Sequence, residues 1–173
     1  RSEHDEATHS SEARSLFADY VRTLDQRFAR KKYEVADELA QQSGSARVYH
    51  HRGGFLLHGD TFYFVRLVAD DVKPETIERY ARRAVHLAEK SMEKHPGFGN
   101  LLRVYVAVAM AHASESAIAC ARRYDPQVNF RFALVMIADL NERHLHARGR
   151  FGLFNSKGDV GRISSGLSML RFQ

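Results

Sequence analysis

The chain has no tryptophan, and only one cysteine and three prolines among its 173 residues. The lone Cys120 excludes an intramolecular disulfide and a cysteine-built zinc site. Its alanine-rich surroundings suit a small buried hydrophobe. Long apolar runs are also missing: the longest, Val104 to Ala111, has eight residues and is followed by His112. A membrane-spanning helix needs about 20, so none is expected. Acids are in deficit, with 21 Asp and Glu against 26 Lys and Arg, a net charge of +5. That balance admits nucleic acid, an anionic membrane surface or an acidic protein as partner, and disfavours a basic one.

A chain of this length is expected to form one domain and to bury roughly 70% of the surface its unfolded form exposes. It begins at Arg1 rather than methionine, as a partial or amino-terminally processed chain would. Residues 1–14 hold four acids against two arginines, unlike an acid-poor transit peptide. An intracellular location is expected, with a processed organellar protein left open. The same segment lacks apolar periodicity and is expected to be mobile.

From Ser15 the pattern turns helical. Leu16, Phe17, Tyr20, Val21, Leu24, Phe28, Val35 and Leu39 recur at steps of three and four, apart from one longer gap over the lysines, predicting one amphipathic helix to about Gln42, ended by Ser43-Gly44-Ser45. Arg27, Arg30, Lys31 and Lys32 cluster on it. Three short strands follow, at 46–51, 55–58 and 61–69, separated by Gly53-Gly54 and Gly59-Asp60 turns. The third is apolar on both faces and should be internal. Pro74 opens a second helix whose stripe is Ile77, Tyr80, Ala81, Ala84, Leu87, Ala88 and Met92, with Arg79, Arg82 and Arg83 largely off it. Residues 101–111 read as a central strand. Ser114 caps a helix to Tyr124, and 130–140 is another strand covered on both faces. The predicted fold is α+β, a mixed sheet with three helices in the order α-β-β-β-α-β-α-β plus a basic C-terminal hairpin or extension. Residues 15–140 would form the domain and 141–173 the hairpin or arm.

The helix–meander–helix–strand portion resembles, in element order, the restriction-endonuclease-like nucleases, which hold a divalent cation with two carboxylates and a lysine. Asp60 and Asp71-Val72-Lys73 match that pattern formally. Eleven strand steps between Asp60 and Asp71 would put them roughly 35 Å apart, too far for one metal, so Asp60 is expected in a turn and Asp71 near a helix start. His144-Leu145-His146 places two imidazoles on one strand face, where they could ligate a metal. It also resembles the His-hydrophobic-His signature of rolling-circle and relaxase nucleases. Those need a tyrosine nucleophile, and here none follows Tyr124 while Tyr20 lies on an apolar stripe. His50 and His51 point to opposite faces. A Ser114, His112, Asp139 set lacks the elbow of a serine hydrolase, and the glycines from Gly152 to Gly166 lack a phosphate-loop context. No cofactor is implied.

The last 33 residues hold six basic side chains, Arg143, Arg148, Arg150, Lys157, Arg162 and Arg171, against Glu142 and Asp159. Phe151, Phe154 and Phe172 are interleaved with five glycines. Phosphate neutralisation and base stacking need these two ingredients. The expectation is a non-enzymatic nucleic-acid-binding or nucleoprotein-assembly subunit, RNA over DNA, using Arg143, Arg148, Arg150, Phe151, Phe154, Lys157, Arg162 and Arg171. The alternatives are a metal-dependent nuclease or phosphoesterase using His144 and His146, and a scaffold subunit that binds other protein chains.

Overall fold

The computed structural model describes residues 9–53, 58–124, 127–148 and 166–172, the side chains of His58, Gln127 and Val128 excepted. The fold is α+β. Its elements run α1 (Ser11–Arg30), β1 (Glu34–Val35), α2 (Asp37–Ser43), β2 (Arg47–Arg52), β3 (His58–Leu67), α3 (Pro74–Ser91), β4 (Asn100–Met110), α4 (Glu115–Arg123), β5 (Gln127–Val128), β6 (Arg131–Asp139) and β7 (His144–His146). The mixed sheet has the order β1-β2-β3-β4-β6-β5, and β7 pairs with β6. β2 and β3 are antiparallel, whereas β3, β4 and β6 are parallel, joined by α3 and α4 as crossovers. β4 is central, as its two apolar faces predict: every residue from Val104 to Met110 is buried.

The two faces carry separate cores. On one, Val48, Phe62, Phe64, Val104, Val106, Val135 and Ile137 pack beneath Ile77, Ala81 and Ala84 of α3 and Ala117 and Ala121 of α4. On the other, Tyr49, Tyr63, Tyr105, Leu134 and Met136 meet Phe17, Tyr20, Leu24 and Phe28 of α1, together with Leu170.

Three local readings are corrected. The single helix expected over 15–42 is two. Lys32 adopts φ 62, Tyr33 N–H returns to the Phe28 carbonyl, and Glu34 and Val35 pair with His50 and Tyr49. That edge pairing overrides the helical spacing of Val35, and it raises the number of helices above three. α1 itself starts at Ser11, because Ser10 Oγ accepts the Ala13 amide at 3.1 Å; residues 11–14, expected to be mobile, are helical. Gly59 and Asp60 form no turn but lie within β3, opposite Leu101 and Leu102. A Cβ at Gly59 would collide with the Leu101 carbonyl, so this glycine answers a close backbone approach rather than a bend. The strand expected at 55–58 falls outside the described residues except for His58, which opens β3.

Residues 149–165 of the expected C-terminal hairpin or extension lie outside the described residues. β7 adds to the edge of β6, and 166–168 form one helical turn. Leu167 and Leu170, three apart, face the α1 side of the sheet, with Leu170 fully buried. That apolar spacing suits a turn of helix and not a strand.

Candidate nucleic-acid interface

The described C-terminal residues are bound to α1 by long-range contacts. Arg27 Nη1 donates to the carbonyls of Met169 at 2.7 Å and Arg171 at 2.8 Å, and more weakly to Ser168 at 3.4 Å. Tyr20 Oη donates to the Leu170 carbonyl at 2.6 Å, and Tyr63 Oη to that of Gly166 at 3.1 Å. Phe172 stacks on Tyr20 with ring centroids 4.6 Å apart, and the Arg143 guanidinium stands 5.8 Å from the Phe172 centroid. Arg143, at φ 52, and Arg171 are both exposed. A cation, an aromatic ring and a second cation thus share one stretch of surface.

The other predicted contacts divide. Arg148 lies elsewhere, its Nη1 donating to the Tyr124 carbonyl at the end of α4, at 3.1 Å. Arg150, Phe151, Phe154, Lys157 and Arg162 lie outside the described residues. In the first-helix cluster Arg27 is committed to the carbonyls above. Arg30, Lys31 and Lys32 are exposed at the C-terminal end of α1, where cations complement the helix dipole.

His144 and His146 share a face of β7, ring centroids 4.5 Å apart. Burial and the neighbouring His144 hold the His146 imidazole below the ordinary histidine range, with Arg122 adding to the shift and Asp139 opposing it. Asp139, cross-strand from His144, has both oxygens engaged: the Ala113 amide donates to Oδ2 at 2.7 Å and the Glu142 amide to Oδ1 at 2.8 Å. Among the described residues no group of three or more His, Cys, Asp or Glu is placed to hold a metal.

The remaining candidates are dispersed. Asp60 is the third residue of β3 and Asp71 lies beyond its far end, so the carboxylates and Lys73 are not gathered. Asp60 instead bonds His50 Nε2 at 2.7 Å, and His50 lies flat on Phe62 at 4.1 Å. His51 faces the other way, against Tyr33. Ser114 Oγ caps α4 by accepting the Ala117 amide, so Ser114, His112 and Asp139 do not assemble a triad. Tyr20 is core, 4% exposed. Burial raises the pKa of Tyr20, Tyr49 and Tyr63, and pushes Tyr105 up to about 12, so these hydroxyls remain protonated donors at neutral pH.

Sequence reasoning missed the Arg27 tether and the structural role of Asp139. Neither had a local signal: the partners of Arg27 are backbone carbonyls more than 140 residues away.

No helix among the described residues is long and apolar enough to cross a membrane. In comparison with known proteins, no family model, no curated protein and no solved structure matches the chain.

Proposed function

We propose that this chain binds nucleic acid, RNA in preference to DNA, as a binding or nucleoprotein-assembly subunit, through the basic C-terminal surface that runs from Arg143 to Arg171. The observation that carries the reading is the Arg143–Phe172–Tyr20 stack beside exposed Arg171. The guanidinium groups offer charge to phosphate, and the partly exposed edge of Phe172 beside them offers apolar contact to an unpaired base. RNA is favoured because its loops and ends present such bases. In sequence, Arg148, Arg150, Lys157 and Arg162 add four more cations between Arg143 and Arg171.

The test is binding of labelled single-stranded RNA to the full chain and to a variant carrying Arg148→Ala, Arg150→Ala, Lys157→Ala and Arg162→Ala together. The reading expects affinity to fall at least tenfold at moderate salt. Equal binding by the variant would remove it.

The paired imidazoles on β7 favour a second reading, a metal-dependent phosphoesterase. It requires stoichiometric uptake of Zn²⁺ or Mn²⁺ that is lost in His144→Ala.

A further inference from the structure

Among the described residues three large apolar side chains stand exposed, Val35, Phe98 and Phe130. Phe98 is 99% exposed. It occupies a tight turn in which Gly97 and Asn100 exchange backbone hydrogen bonds of 2.9 and 3.0 Å, with Gly99 at φ 77 supplying the left-handed corner. The Asn100 side-chain amide donates to the carbonyls of Lys94 and His95, both at 2.9 Å, and so fixes the approach to the turn. Phe130 is 50% exposed in the turn between β5 and β6, at φ 63 beside Asn129 at φ 41. Its carbonyl accepts the Leu102 amide at 3.1 Å, and Leu102 pairs with Arg131. The two turns therefore open neighbouring parallel strands, β4 and β6, at the same end of the sheet.

Neither turn needs its phenylalanine. A bulky side chain is strained at positive φ, where Gly or Asn would relax position 130. A ring in open water at position 98 forgoes the burial that would repay its apolar surface. The nearby acids are already matched: Glu89 with Arg131 at 2.5 Å, and Glu93 with Arg52 at 2.6 Å. Lys90 and Lys94 remain exposed. Two exposed aromatic rings at one end of the sheet, with surplus cations, suit a single strand, whose bases stack on any flat ring while its phosphates meet lysines.

We infer that Phe98 and Phe130 form a stacking platform for unpaired bases of a single-stranded nucleic acid, with Lys90 and Lys94 neutralising its phosphates. The inference rests on the nucleic-acid reading above but uses a different surface, at the end of the sheet where β4 and β6 begin.

The lack of native tryptophan allows a direct test. In the full chain, Phe98→Trp places one indole on the turn, and stacking of a base quenches its emission. Oligouridylate should quench that emission while a duplex of the same length does not. Phe98→Ala with Phe130→Ala should weaken oligouridylate binding roughly tenfold or more without changing its salt dependence, and Phe98→Tyr should retain it. If oligouridylate binds but leaves the indole emission and the double variant's affinity unchanged, the platform is refuted and the C-terminal surface stands. If the double variant loses binding while the four-residue C-terminal variant keeps it, the platform stands and the C-terminal surface falls. No binding by the folded chain would defeat both. A blue shift of the indole on vesicles of phosphatidylcholine and phosphatidylglycerol, with no response to oligouridylate, would assign the rings to a lipid surface and overturn the inference.

Discussion

Arg27 Nη1 lies 2.7 Å from the carbonyl oxygen of Met169, joining the first helix to the last described turn of the chain. The same nitrogen reaches the Arg171 carbonyl at 2.8 Å. A helix C-terminus leaves its carbonyls without intrahelical donors, and here a guanidinium supplies them. Arg27 is engaged in holding the segment from Gly166 to Phe172 against α1, while Arg143 and Arg171 are exposed beside Phe172. Arg27→Met keeps the aliphatic stem and removes the donors. It should cost about 1–3 kcal/mol in denaturant unfolding and speed hydrogen exchange at the Leu170 amide, which bonds the Leu167 carbonyl. Unaltered exchange there would show that the tether contributes nothing.

Gly166 sits on Tyr105, and a Cβ at that position would overlap the phenol hydroxyl. Tyr105 is 2% exposed and stacked on Tyr63 with centroids 4.7 Å apart, so the ring cannot swing aside freely. Gly166→Ala should destabilise the fold by about 1–3 kcal/mol through overpacking. An unchanged denaturation midpoint would mean that the segment lifts off at little cost.

Asp139 is 5% exposed and accepts the amides of Ala113 and Glu142, tying together the segments that follow β4 and β6. Asp139→Asn keeps one acceptor but turns an NH₂ group toward a backbone N–H. The expected loss is about 2 kcal/mol or more, because a buried donor is left unpaired, and thermal melting would register it. A melting point equal to that of the wild type would contradict the role given to this carboxylate.

His146 sets a pH dependence whose sign follows from its environment. Burial and His144 hold its folded pKa below the unfolded value, so between those two values the unfolded chain binds more protons. Stability is then full above the unfolded pKa near 6.5 and declines as pH falls toward the folded pKa, below which this contribution levels off. The loss in melting temperature between neutral and mildly acidic pH should be smaller in His146→Gln than in the wild type. An identical loss in both would remove His146 from the account.

The inner strands and the capped helices were legible because their determinants are local. Val104, Val106 and Val108 alternate with Tyr105, Ala107 and Ala109, all buried, and Pro74 and Ser114 mark the starts of α3 and α4. The break at Lys32 was not legible. Val35 and Leu39 continue the helical spacing, and only pairing of Glu34 and Val35 with β2 shows why the chain turns there. Gly59 misled for a related reason, since a glycine required by the neighbouring Leu101 backbone looks in sequence like one required by a turn. The basic composition of the C-terminus was plain in sequence. Its division was not: Arg143 goes to Phe172, while Arg148 goes to Tyr124.

The packing of Leu170, fully buried against the α1 side of the sheet, also decides how the surface should be probed. Deleting the C-terminal residues would remove part of the core along with the charge, at a cost of about 1.5–3 kcal/mol for this leucine alone. Point substitutions separate the two effects.

The most direct measurement is therefore the affinity of the full chain for single-stranded RNA across a salt series, compared with the Arg148→Ala, Arg150→Ala, Lys157→Ala, Arg162→Ala variant. If the C-terminal surface reads phosphate, the wild type shows a steep log–log slope, and removal of four cations lowers its magnitude by roughly two to three. A variant with the same affinity and slope as the wild type would contradict that account.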